Sequence, residues 1–108
     1  MPWFFLALAI LSEVVGTLAL KMSNGFSILI PSIIVVVGYG ASLWLLALCL
    51  KSLDVGTAYA IWAGAGTALI SIAGVFLFAE PMTVIKAMSL ALVILGVFGL
   101  HWAEGKVV

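Results

Sequence analysis

Charge is what this sequence has least of. Only 7% of its 108 residues are charged, where a soluble domain carries about a quarter, and arginine is absent altogether. Four lysines and four acids cannot clothe a chain of this size in a polar shell, because a small body has much surface for its volume. Lipid must be the solvent for most of this surface. With a formal net charge of zero and no basic stripe, neither nucleic acid nor an acidic partner surface is indicated. Cysteine occurs once, as Cys49 in an apolar run. With no disulfide partner and no metal-site spacing, it reads as a small core residue rather than a reactive thiol. Nucleophile–base pairs and metal clusters are missing too, so an enzyme is not expected. The single histidine, His101, stands near the end of the last apolar run and reads as an interfacial residue.

What is abundant is apolar length. Crossing about 30 Å of hydrocarbon takes roughly 20 helical residues, and the chain supplies four such stretches, at about 3–20, 28–50, 55–78 and 84–102. The first lacks a basic leader and a clear cleavage context and is interrupted by Glu13, so it reads as a span rather than a signal peptide. Ser23 and the turn pair Asn24-Gly25 separate the first two spans. Pro31 is tolerated in the first turn of the second. Lys51 and Asp54 mark the next loop, Glu80-Pro81 closes the third span, and Thr83 is placed to cap the fourth. His101, Glu104 and Lys106 return the chain to water. Continuous apolar runs of this length mean helices, and the alternation of a barrel strand is absent. The expected fold is all-α: one membrane domain of four transmembrane helices, with antiparallel neighbours because the connections are short.

With four spans, Lys51 and Lys106 fall on the side of the N-terminus, and Lys21 and Lys86 on the other. Orientation follows lysine and arginine excess, and here the excess vanishes. Dual insertion, with oppositely oriented copies pairing as an antiparallel dimer, is one reading. Chance balance among so few lysines is the other.

Glu13 lies near the middle of the first span. A charge at that depth costs about 2.5–3.5 kcal/mol on insertion scales. A protonated Glu bonded to a neighbouring helix would be a purely structural explanation. No other ionisable residue lies at comparable depth to pair with it, which favours a functional one. Desolvation disfavours the charged form, and either a proton or a cation relieves it. The two ligands then compete for one site, which is enough to couple their transport if the site alternates between membrane faces. Ala9, Gly16 and Thr17 share the face of Glu13, and small residues there admit a neighbouring helix or leave a cavity.

Tyr59 and Trp62 are three apart in the third span, followed by Gly64-Ala65-Gly66. Aromatic faces attract organic cations by about 0.5–2 kcal/mol, so a carboxylate with aromatics suits a hydrophobic cation. Membership of an interfacial aromatic belt is the alternative. Trp3, Trp44 and Trp102 include belt candidates, whereas Trp62 lies deeper. Gly64 and Gly66 suit a kink and equally a close helix contact. In the second span Tyr39 and Ser42 share a side, with Leu43 beside them. Tyr39 can donate to a carboxylate, meet a cation with its ring, or simply pack. In the fourth span Ser89, Gly96 and Gly99 are small residues in a bulky run without a mid-span charge. That pattern reads as an assembly helix.

Taken together, Ser-Glu-Val-Val-Gly-Thr at 12–17, Ser-Asn-Gly-Phe at 23–26, Pro31-Ser32 and Gly-Thr-Ala-Tyr-Ala-Ile-Trp at 56–62 resemble the small multidrug resistance family of bacterial inner-membrane exporters, over essentially the whole chain. The resemblance implies an antiparallel homodimer exchanging protons for organic cations, with no cofactor. It maps the family's essential carboxylate to Glu13 and its substrate-site aromatics to Tyr59, Trp62 and Tyr39. Ser42 matches a position able to hydrogen-bond near the glutamates, Gly64 and Gly66 match the hinge, and the fourth span matches the dimerisation stripe. Guanidinium exporters of the family typically carry Trp three residues after the Glu, where Gly16 stands here, and usually lack a Tyr at position 39. Glu80-Pro81, by contrast, resembles their loop. A Trp-to-Gly difference reshapes a cavity and a loop does not, so export of hydrophobic and quaternary ammonium cations is expected. Guanidinium export, or service as one subunit of a heterodimeric pair, is the alternative within the family. A non-transporting assembly subunit is the alternative outside it.

Overall fold

The computed structural model describes residues 2–104. Those residues form four helices and no strand: α1 (Pro2–Met22), α2 (Leu29–Cys49), α3 (Val55–Phe78) and α4 (Val84–Glu104). Each has 21 to 24 residues and a mean hydropathy near 2. At about 1.5 Å per residue, even the shortest reaches about 31 Å, enough to cross the hydrocarbon layer. The all-α, four-span reading holds. Lys106 lies outside the described residues.

The helices start and stop where local chemistry directs. Thr83 caps α4, its Oγ1 accepting from the Lys86 N–H at 3.1 Å. Between α1 and α2 the chain turns through three consecutive left-handed residues, Asn24, Gly25 and Phe26, with φ of 49°, 72° and 67°. Ser23 holds that turn together. It is fully buried, its hydroxyl donates to the Leu20 carbonyl at 2.7 Å, and its Oγ accepts from the Phe26 N–H at 3.0 Å. Helix α3 stops at Ala79, also left-handed (φ 54°), and the Glu80 N–H closes onto the Gly74 carbonyl at 3.2 Å.

The chain divides into two compact units, Met1–Ser52 and Leu53–Val108, each built on one helix pair. In the first unit, α1 meets α2 along Ala9, Ser12 and Gly16 on one side and Gly38 and Ser42 on the other. A Cβ added at Gly38 would lie 3.0 Å from the Ser12 carbonyl oxygen and 3.1 Å from Gly16 Cα, so the backbones nearly touch. Small residues allow that approach in a setting where burial of apolar surface gives no driving force. Cys49 Sγ donates to the Pro2 carbonyl at 3.0 Å and Ser42 Oγ to the Ala9 carbonyl at 2.6 Å. These partners run in opposite sequence directions, so the pair is antiparallel. Cys49 is completely buried, in keeping with a core thiol.

In the second unit, α3 approaches α4 at Gly64. A Cβ there would sit 2.9 Å from Val97 Cγ2 and 3.4 Å from Val93 Cγ1. Of the two uses left open for this glycine, close helix contact has a visible partner. No residue of α4 is buried.

Candidate functional site

Glu13 lies one residue past the midpoint of α1, and its two oxygens have different surroundings. Oε1 accepts from Thr17 Oγ1 at 2.9 Å. Oε2 is buried and has no hydrogen-bond partner among the described residues. A buried polar atom without a partner is costly, and more so when it carries charge. Such an oxygen is matched chemically by something that neutralises it.

Thr17 follows Glu13 by four residues and so sits directly beside it on the helix. Its hydroxyl also lies 2.6 Å from the Tyr39 hydroxyl of α2. Tyr39 reaches this point because its ring packs against Gly16. A Cβ at position 16 would stand 2.8 Å from Tyr39 Cδ1 and 3.0 Å from Cε1, closer than side-chain atoms tolerate. The glycine is thus a steric condition for the Tyr39–Thr17–Glu13 chain. Sequence reading placed Gly16 and Thr17 on the face of Glu13 as small residues that admit a helix or leave a cavity, and took Gly16 as lining the site, but gave Thr17 no hydrogen bond. The signal for Thr17 was its spacing of four from Glu13.

Ser42 is buried in the α1–α2 pair. It donates to the Ala9 carbonyl, the group that also accepts the Glu13 N–H in a regular helix. It therefore braces the turn that carries Glu13. Leu43 is exposed on α2, one turn beyond Tyr39 on the same side. An apolar groove of about 430 Å³ runs along the opposite flank of this helix pair, lined by Leu11, Ser12, Val15, Ile34, Val37 and Gly38 among others. Glu13, Thr17 and Tyr39 do not line it.

In the second unit, Tyr59 and Trp62 stack at a tilt on one face of α3, their ring centroids 5.5 Å apart at 56°. Tyr59 is 57% exposed. Gly66 is buried. Ser89 and Gly96 are exposed on α4, and a Cβ at Gly96 would meet nothing within 4 Å. Among the described residues no group of three or more His, Cys, Asp or Glu is placed to hold a metal ion.

Comparison with known proteins agrees with this architecture. A family model described as Small Multidrug Resistance protein matches residues 1–93. The chain is 49% identical over 104 residues to an uncharacterized membrane protein, YvaE, of Bacillus subtilis (strain 168), covering 96% of this chain and 87% of that one. It is 45% identical to a guanidinium exporter of Yersinia pseudotuberculosis, covering 96% of this chain and 100% of that one. It is 48% identical to the multidrug resistance protein EbrB of Bacillus licheniformis, covering 90% and 82%. The chain belongs to the Small Multidrug Resistance protein family, and is a multi-pass transporter of the bacterial inner membrane rather than an enzyme.

Proposed function

We propose that this protein exports hydrophobic and quaternary ammonium cations in exchange for protons, with Glu13 binding both ligands in turn. The observation that carries this reading is the asymmetry of the Glu13 carboxyl group. One oxygen is held by Thr17, and the other is buried without a partner inside a membrane span. A proton or an organic cation satisfies that second oxygen, and the presence of either excludes the other. Competition for one carboxylate couples the two fluxes when the site opens to one membrane face at a time.

Tyr59 and Trp62 supply aromatic faces for the cation, and Tyr39, Ser42 and Leu43 complete the substrate side in α2. Gly64 and Gly66 provide the hinge. The whole chain acts as one membrane domain, needs no cofactor, and works as an antiparallel homodimer through the Ser89–Gly96 stripe of α4. Balanced lysines support that pairing, because neither orientation is favoured on insertion.

Guanidinium export is the second reading. It is supported by the relative of that name, which the chain matches over its whole length, and by the Glu80-Pro81 loop. The multidrug reading is preferred because a side chain at position 16 and the observed Tyr39 ring exclude each other. With glycine at 16, that position is lined by the Tyr39 ring, an aromatic surface that suits a hydrophobic cation.

The deciding experiment is transport by the purified protein in liposomes under a pH gradient, with a tetra-substituted phosphonium and guanidinium offered in parallel. Proton-driven uptake of the phosphonium is expected, falling to the level of empty liposomes in Glu13→Gln. Movement of guanidinium alone would shift the assignment to that branch. Unchanged transport in Glu13→Gln would remove Glu13 from the mechanism.

A further inference from the structure

Thr17 stands between two groups that this mechanism needs. Its hydroxyl is 2.9 Å from Glu13 Oε1 and 2.6 Å from the Tyr39 hydroxyl. A hydroxyl has one hydrogen to donate, and an ionised carboxylate can only accept. With Glu13 ionised, the single Thr17 hydrogen is committed to Oε1. Tyr39 must then be the donor in the shorter bond. The chain therefore has a direction, from Tyr39 to Thr17 to Glu13, and it ends on Oε1.

Packing gives no reason for this hydroxyl, since valine would fill the same volume. Back-bonding to the helix does not account for it either. Ser32, Thr67 and Ser89 each donate to the carbonyl four residues back, whereas Thr17 donates to the side chain four residues back. On α2, the titratable side chain on this flank is Tyr39. Cys49, the other titratable group of α2, lies at the far end of the pair against the Pro2 carbonyl. On α1 itself, Lys21 is at the helix end, two turns beyond Glu13.

We infer that Thr17 is a positioning residue for proton–cation exchange: it pins Glu13 Oε1, links it to Tyr39, and leaves Oε2 as the oxygen that takes the proton. The inference rests on the proposed role of Glu13. Tyr39 thereby senses the charge on Glu13 through Thr17.

The test uses the full-length protein in lipid bilayers with carbon-13 in the glutamate carboxyl groups. The Glu13 signal is assigned by its loss in Glu13→Gln and followed against pH. In Thr17→Val the titration is expected to move to higher pH, because a donor to the anion is lost. Thr17→Ser is expected to bring it back toward the wild-type curve. Tyr39→Phe, which removes one hydroxyl and nothing else, is expected to move it the same way by less. The double variant Thr17→Val/Tyr39→Phe should move it by less than the sum. Cation affinity near neutral pH should fall about tenfold in Thr17→Val, the size of one charge-assisted hydrogen bond. Wild-type titration in both Thr17→Val and Tyr39→Phe would overturn the inference. The carboxyl signal is read without any substrate, so failure to transport the phosphonium would count against the proposed function and leave this result standing.

Discussion

Gly16 shows how one absent methyl group shapes this site. Its missing Cβ is the space taken by Tyr39, and Tyr39 placed there closes the hydrogen-bond chain to Glu13. Gly40, two positions from Gly38 on α2, has nothing within 4 Å of its notional Cβ. The two glycines should therefore answer the same substitution differently. Gly16→Ala is expected to destabilise the protein by about 1–3 kcal/mol through overpacking and to weaken binding of a bulky cation by displacing Tyr39. Gly40→Ala should change stability by about 1 kcal/mol or less, on the favourable side, since alanine is the better helix former. Thermal unfolding in detergent with cation titration reads both. Equal behaviour of the two variants would show that the Gly16–Tyr39 contact does not govern the site.

At the scale of the element, the spans are set by composition and the turns by individual side chains. The α1–α2 connection needs three left-handed residues in succession, of which only Gly25 is a glycine. Left-handed backbone is unfavourable for residues with a Cβ, most of all for a bulky one such as Phe26. The two hydrogen bonds of the buried Ser23 hydroxyl offset that strain. Ser23→Ala should therefore lower stability by about 1–2 kcal/mol, since it leaves the Phe26 N–H without its acceptor. The change is measured as a drop in unfolding temperature. An unchanged transition would mean that the turn is held by its backbone bonds to the Ser23 carbonyl alone. Asn24-Gly25 was legible in the sequence as a turn. The part played by Ser23 was not, because a buried serine and an exposed one look alike in a string of letters.

At the scale of the whole molecule, α4 is a membrane helix with no buried residue, and its glycines at 96 and 99 face open space. Lipid covers such a face equally well, so what distinguishes it is the small-residue stripe in an otherwise bulky helix. On the proposed dimer, Gly96→Leu should block close approach of two α4 helices and cut the dimer fraction in bilayers about tenfold, a loss of about 1.4 kcal/mol. Single-molecule counting of labelled protomers in vesicles makes the measurement. A dimer fraction unaffected by Gly96→Leu would move the interface to another helix. Stability in detergent should hardly change, because α4 packs within its own unit through Val93 and Val97 instead.

The sequence by itself determined that this is a four-helix membrane protein, and it singled out Glu13. Both follow from transfer free energies, which depend on composition and depth and need no knowledge of neighbours. It also placed Tyr59 and Trp62 together, because a spacing of three puts two side chains on one helix face whatever the helix packs against. Only the tertiary structure decided what Tyr39, Thr17 and Ser42 do. Tyr39 and Thr17 are 22 positions apart and Ser42 is 33 positions from Ala9. Such contacts depend on how closely two helices cross and at what register. That register is set by backbone approach at Gly16 and Gly38, a property of the pair that neither helix carries alone.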